Sequence, residues 1–152
     1  MNQGAGIMFV CKSENQLKIL LGVRTSRPFK GFWSAIGGDI ITQHKDENAW
    51  QCATRETRET LHINVQQLID EDKAKLLGSS ILKVPFTYRF ETFVVALREQ
   101  SIIDDHPHVV GTFSDIDWFN SEELPGNTHF GVHYTLGVID AETLAKQEGG
   151  LF

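Results

Sequence analysis

The sequence predicts a single α/β domain. Three observations carry that prediction. The chain has 152 residues, with 41% hydrophobic and 22% charged content, which suits one globular domain around one core. It contains several short apolar runs separated by turn residues, the pattern of buried strands. It also contains one long segment free of Gly and Pro whose apolar residues recur at spacings of three and four, the pattern of a helix.

Residues 6–11 (GIMFVC) and 17–23 (LKILLGV) read as two strands of a hairpin, joined across polar residues 12–15. Residues 24–32 hold Ser, Pro and Gly and read as a loop; residues 33–36 form a short apolar piece ending at Gly37-Gly38. Residues 39–45 look irregular. Asp46 is the expected N-cap of a helix running to Leu61, with Glu47 in its first turn and a face made by Ala49, Cys52, Ala53, Thr57 and Leu61. Residues 76–83 and 88–97 read as strands. Residues 100–114 read as a polar surface loop around a short strand at Val109-Val110. A short strand at 116–119, a turn or short helix at 121–124, and a helix over 140–147 ended by Gly149-Gly150 complete the reading. Neither a repeat nor a linker interrupts it, so residues 1–152 are expected to form one domain.

Composition excludes several functions. The net charge is −6 and the Lys and Arg residues are scattered, so no basic patch for nucleic acid is expected. The longest apolar stretches fall far short of the ~20 residues of a membrane helix, and residues 1–6 carry no basic region followed by a long apolar run, so no leader peptide is expected there. Cys11 and Cys52 match no zinc spacing and read as two reduced, buried thiols. The expectation is a cytoplasmic protein.

The informative segment is residues 37–63, GGDIITQHKDENAWQCATRETRETLHI. Residues three apart on a helix differ by ~60° around the axis. Glu56 and Glu59 therefore project from one face, and Arg55, four before Glu59, can lean on the same pair. Two carboxylates on one rigid face make a hard-oxygen site suited to Mg²⁺. An alternating charged run on a helix can also be no more than a solvated face; the Gly-Gly pair upstream, preceded by Gly31-Phe32-Trp33, shifts the reading toward a site.

This segment resembles the Nudix box, G-x5-E-x7-R-E-U-x-E-E-x-G-U, where U is a bulky apolar residue. Glu47, Arg55, Glu56, Glu59 and Ile63 fall on box positions, and GFWSAIGG (31–38) is similar to the family's usual G-x-W-x-x-P-G-G. The chain also departs from the pattern. Three extra residues separate Gly38 from Glu47, Thr60 replaces the second Glu of the pair, His62 replaces Gly, and Ile36 replaces Pro. Thr57 stands where a larger apolar residue is typical. The resemblance implies a Nudix fold, a mixed sheet sandwiched between helices, and a hydrolase acting on phosphoric anhydrides with Mg²⁺ or Mn²⁺. It further implies that Glu56, Glu59 and the carbonyl of Gly37 hold the metal, and that Arg55 orients the carboxylates. Thr60 implies fewer or weaker metal sites. Glu56, Glu59 or the loop holding Asp104, Asp105, His106 and His108 supplies the general base.

Residues 20–38, LLGVRTSRPFKGFWSAIGG, are similar to the matching stretch of GDP-mannose mannosyl hydrolases, where basic loop residues contact the nucleotide diphosphate. Arg24 and Arg27 take those positions, a role that bidentate arginine–phosphate contact supports. In that branch water attacks sugar carbon, but the branch lacks the Glu that stands here as Glu56, which favours attack at phosphorus. Residues 78–81 (GSSI) carry neither the diadenosine-polyphosphate nor the ADP-ribose fingerprint. Trp33, with Phe32, and Trp118-Phe119 are candidates for stacking on a base; the alternative is core packing. The expected partner is a small nucleoside diphosphate derivative, with a homodimer left open. The competing reading is a catalytically weak Nudix-fold module that binds or senses a nucleotide; the remotest is a structural domain with a chance RExxE.

Overall fold

The computed structural model describes residues 2–26, 29–40, 47–104 and 113–140. They form one mixed α/β domain with a seven-stranded sheet. The order along the chain is β1 (Asn2–Ser13), β2 (Gln16–Arg24), β3 (Trp33–Ser34), β4 (Ile36–Asp39), α1 (Ala49–Leu61), α2 (Val65–Asp70), β5 (Ala74–Val84), β6 (Tyr88–Leu97), α3 (Ser101–Asp104), β7 (Phe113–Asn120) and α4 (Phe130–Val138).

The apolar runs are continuous because the central strands are buried on both faces. On β1, Ala5, Ile7, Phe9 and Cys11 point into one core while Met8 and Val10 point into the other. β6 splits in the same way, with Phe93, Val95 and Leu97 on the first side and Val94 and Ala96 on the second. The first core is closed by Cys52, Ala53 and Leu61 of α1 and Val65 of α2; the second by Val132 of α4 and by Trp33 and Phe119. Helices on both faces are the sandwich that the family resemblance implies.

β1 organises the sheet. It pairs parallel with β6, from Asn2↔Tyr88 to Val10↔Ala96. Its first half pairs antiparallel with β4 (Gly4↔Asp39 to Ile7↔Ile36), its second half with β2 (Val10↔Ile19 to Ser13↔Gln16). The hairpin turn has Glu14 and Asn15 at φ 52° and 65°, the positive pair that matches strand twist in a two-residue turn. β5 extends the sheet beyond β6, and β7 beyond β2. A side chain at Gly37 would run into the Ala5 carbonyl of β1; the β1–β4 pairing therefore needs glycine there.

α1 starts later than expected. Asp46 lies outside the described residues, and the cap is Asn48, whose side chain accepts from the Gln51 N–H at 2.8 Å while Gln51 Oε1 accepts from the Asn48 N–H at 2.9 Å, a reciprocal capping box. The helix ends at His62 in the left-handed region, φ 58°, with its N–H on the Arg58 carbonyl. The family's glycine at this position is thus explained: the chain needs a left-handed residue there, and histidine adopts it at a cost.

Other elements also differ from expectation. Residues 33–36 form two short strands around Ala35, and the polar stretch after residue 100 opens with α3. β7 is longer than the strand read at 116–119, and the helices α2 and α4 carried no prediction. α4 contains Gly131 and Gly137 and several β-branched or aromatic residues, so intrinsic propensity argues against it and packing on the second core decides. The strand at Val109-Val110 and, apart from Asp140, the helix over 140–147 lie outside the described residues. Cys11 and Cys52 are both free and buried, as expected. Among the described residues no helix is long and apolar enough to cross a membrane.

His62→Gly is expected to raise stability by about 1 kcal/mol by removing left-handed strain, whereas Gly37→Ala is expected to lower it by roughly 1–3 kcal/mol through overpacking. Urea denaturation of both variants against wild type checks the pair, with Gly126→Ala, whose added Cβ meets no atom within 4 Å, as the control.

Candidate active site

α1 lies across β1 and β4 and brings its charged face beneath Gly38 and Asp39. Arg55 is only 8% exposed. Its guanidinium spends its donors on three carboxylates and a carbonyl. Nε donates to Glu47 Oε2 at 2.7 Å and Nη2 to Glu47 Oε1 at 3.0 Å, a bidentate pair. Nη1 donates to Glu56 Oε1 at 3.0 Å and, more loosely, to Glu59 Oε2 at 3.3 Å; Nη2 also reaches the Asp39 carbonyl at 3.3 Å. The hydrogen bonds it donates to Glu47 hold the guanidinium protonated, well above its ordinary range.

Three carboxylates against one guanidinium leave two negative charges. Glu56 feels this most. Burial pushes its carboxyl up, Arg55 opposes the shift, and Glu59 and Asp39 add to it. Its side chain lies under Gly38, where a Cβ would come within 2.5 Å of the carboxyl carbon. Glu59 is 57% exposed at the side chain and faces solvent beside the same cluster. Thr60, at the place of the family's second Glu, is buried, so the helix offers two carboxylates here. Among the described residues no three His, Cys, Asp or Glu side chains are arranged as a ready metal cage. The hard oxygens of Glu56 and Glu59, and the uncompensated charge around them, nevertheless fit a divalent cation, whose remaining ligands would be backbone, substrate or water oxygens.

Glu56, Gly38 and Asp39 open into a cleft of about 310 Å³. Arg24, at the end of β2, and Phe29 line it, together with Tyr88, Phe90 and Thr92, which alternate along one face of β6. Tyr88 and Phe90 stack with centroids 5.9 Å apart. Burial pushes the Tyr88 phenol up to about 12, so it stays protonated. His129, just before α4, closes another side; burial and then Arg24 hold its imidazole below the ordinary value. Asp39 acts on both Glu56 and Tyr88, and Arg24 on both Tyr88 and His129. Tyr88 therefore feels both the Asp39 charge and the Arg24 charge.

The structure brings Arg55, Glu56, Glu59 and Glu47 together, and Arg24 into the same cleft as Glu56. Gly37 is buried in β4 beside this cluster, opposite Gly6. Trp33 is not among the cleft-lining residues: its ring packs edge-on against Phe119 at 4.7 Å, in the second core. Trp118 packs against the first core. Arg27, Asp105, His106 and His108 lie outside the described residues. Asp39, Phe29, Tyr88, Phe90 and His129 escaped the sequence reading. The only signal for any of them was the alternation of Tyr88, Phe90 and Thr92 on one strand; the rest are united by pairing between strands distant in sequence.

Residues 1–136 match the NUDIX domain family. The chain belongs to the Nudix family. Solved structures share its fold. A Caenorhabditis elegans Ap4A hydrolase binary complex is 18% identical with a TM-score of 0.69, over 91% of this chain and 96% of that one. A MutT NUDIX hydrolase from Burkholderia pseudomallei is 22% identical with a TM-score of 0.61, over 90% and 95%. The NUDIX domain of Shewanella oneidensis NrtR, complexed with ADP ribose, is 18% identical with a TM-score of 0.59, over 91% and 83%. No curated protein matches in sequence.

Arg55→Ala is expected to destabilise the fold by about 3–5 kcal/mol, because it leaves buried carboxylates uncompensated. Denaturant unfolding measures this. Glu56→Gln should do the reverse in metal-free buffer. A carboxyl whose pKa is raised on folding lowers stability as pH rises through it, so the variant should melt above wild type at pH 7.5. The gap should close as pH falls through the carboxylate range, which scanning calorimetry at several pH values would record.

Proposed function

We propose that the protein is a divalent-metal-dependent hydrolase of a nucleoside diphosphate joined to another group, and that water attacks phosphorus. The observation that carries this reading is Glu56: a carboxylate gripped by Arg55, crowded by Glu59 and Asp39, and open to a cleft that also holds Arg24. A diphosphate approaching such a site meets like charge in a partly dry cleft, where repulsion is strong. A bound Mg²⁺ or Mn²⁺ would offset that charge, polarise the phosphoryl oxygens and activate water. Glu56, Glu59 and the Gly37 carbonyl would hold it. Arg55 holds the Glu56 carboxyl in place and opposes the upward push of burial on it, and Glu47 in turn fixes Arg55. Arg24 grips the non-bridging phosphate oxygens, with Arg27 as its sequence neighbour in that task. A carboxylate oxygen of Glu56 or Glu59 left free of the metal would take the proton from the attacking water.

The ligand class finds support in the same-fold structures, one an Ap4A hydrolase and one bound to ADP ribose; Ap4A and ADP ribose are both nucleotides with a phosphoric anhydride. The likeness of residues 20–38 to GDP-mannose mannosyl hydrolases adds nucleotide sugars to the candidates. We place the enzyme in the cytoplasm. Burial of Thr60 favours one second reading, a weakly catalytic module that senses a nucleotide.

The deciding experiment is a screen of nucleotide sugars, dinucleoside polyphosphates and nucleoside triphosphates with Mg²⁺, following phosphate and sugar release. Activity is expected to vanish with excess chelator and to return with Mg²⁺ or Mn²⁺; full turnover in chelator would eliminate the mechanism. Glu56→Gln and Glu59→Gln should each cost on the order of 10²-fold in kcat, with Glu71→Gln unchanged as the control. Arg24→Ala should mainly raise KM, by up to the ~2–5 kcal/mol of a buried charge-assisted contact. In ¹⁸O-water the label is expected in the phosphate product; label in the sugar would move the attack to carbon.

A further inference from the structure

His129 does more than begin a helix. It is 8% exposed and precedes the nine-residue α4. Its Nδ1 accepts the Gly131 N–H at 2.9 Å. A ring nitrogen that accepts a hydrogen bond carries no proton, so the proton of the neutral ring sits on Nε2 and makes that atom a donor. A second proton would set Nδ1–H against the Gly131 N–H, and burial beside Arg24 disfavours it as well. Phe130 stacks on the ring at 4.3 Å and 25°, and Phe29 meets it edge-on at 4.2 Å and 88°. Ring orientation and tautomer are therefore set in advance. Among the described residues Nε2 has no hydrogen-bond partner, yet the residue lines the cleft. Nε2 is not a buried orphan, since among the described residues only Trp118 Nε1 is one; it is a fixed donor that a ligand in the cleft can meet with an acceptor.

We propose that His129 is a specificity residue whose Nε2–H donates to an acceptor on a nucleobase, a carbonyl oxygen or an unprotonated ring nitrogen, while Phe29, Tyr88 and Phe90 line the space around the base. This rests on the reading of the cleft as a nucleotide site. The placement follows from charge. Glu56 and Asp39 carry the negative charge of the cleft and take metal and phosphate; Arg24 takes phosphate; His129 lines the same cleft among the rings of Phe29 and Phe130. A neutral imidazole among aromatic rings is a poor anion site beside a guanidinium and a good wall for a flat heterocycle with one polar edge. A neutral histidine at a helix N-terminus that serves as a fixed donor has precedent in triosephosphate isomerase.

The two nitrogens separate by mutation. The side-chain oxygen of Asn can replace Nδ1 as the cap acceptor, while the amide nitrogen of Gln reaches the place of Nε2. Binding of ADP, GDP, CDP, UDP and inorganic pyrophosphate, with Mg²⁺ present, is measured by calorimetry for wild type, His129→Asn and His129→Gln. Wild type is expected to bind at least one nucleoside diphosphate more tightly than pyrophosphate. His129→Asn should melt like wild type and lose about tenfold for that nucleotide, the scale of one hydrogen bond, with pyrophosphate unchanged. His129→Gln should melt lower and keep most of the nucleotide affinity. The proposal is overturned if His129→Asn weakens pyrophosphate as much as the nucleotide, if it weakens neither, or if no nucleotide outbinds pyrophosphate in wild type. Binding is read without turnover, so a chain that holds a base through His129 and hydrolyses nothing in the substrate screen would sink the hydrolase reading alone.

Discussion

A buried guanidinium must be paired on every side or it does not stay buried. Arg55 meets that condition with two oxygens of Glu47, one of Glu56, a longer contact to Glu59 and the Asp39 carbonyl. Each partner comes from a different part of the local structure: the approach to α1, the helix itself, and the end of β4. One side chain thereby ties helix, preceding loop and sheet into a fixed relation. The same pairing favours the charged form of Glu56 in a place where burial and two neighbouring carboxylates work against it. Structural necessity and the proposed chemistry meet in this guanidinium. It stabilises only while the carboxylates are present, and they are tolerable only while it is.

The sheet supplies the second constraint. β4 approaches β1 so closely at Gly37 that a side chain would strike the Ala5 carbonyl, and Gly38 leaves space that the Glu56 carboxyl fills. The Gly-Gly pair thus has two separate jobs on its two members, one toward the strand and one toward the helix. The parallel pairing of β1 with β6 carries Tyr88 and Phe90 to the same end of the sheet, and the β1–β2 hairpin delivers Arg24 there. A cleft with an acidic end and an aromatic end follows from topology, since its walls come from residues more than 100 positions apart.

The central strands, the helix that carries the acidic cluster and the neighbourhood of Arg55, Glu56 and Glu59 were legible in advance. They rest on local regularities: continuous apolar runs for strands buried on both faces, and a three-and-four spacing that puts charges on one side of a helix. α4 was not legible. FGVHYTLGV holds two glycines, and its helical state depends on the second core and on the His129 cap. Trp33 was placed by packing rather than by its neighbours in sequence. Its position beside the Gly-Gly turn made it a candidate for stacking on substrate, but the turn of the chain directs the ring onto Phe119.

By itself the sequence determined the fold class, the helix with its paired carboxylates and arginine, and the family, because each is written in short-range spacing that survives without knowledge of the rest of the chain. Only the tertiary structure decided that His62 ends the helix in a left-handed turn, that Thr60 is buried, and that Arg24, Asp39, Tyr88 and His129 share one cleft with Glu56. The physical reason is that a binding site is defined by which surfaces face each other. Facing is set by strand register and by the packing of helices on the two sides of the sheet, and neither is encoded in any stretch short enough to read alone.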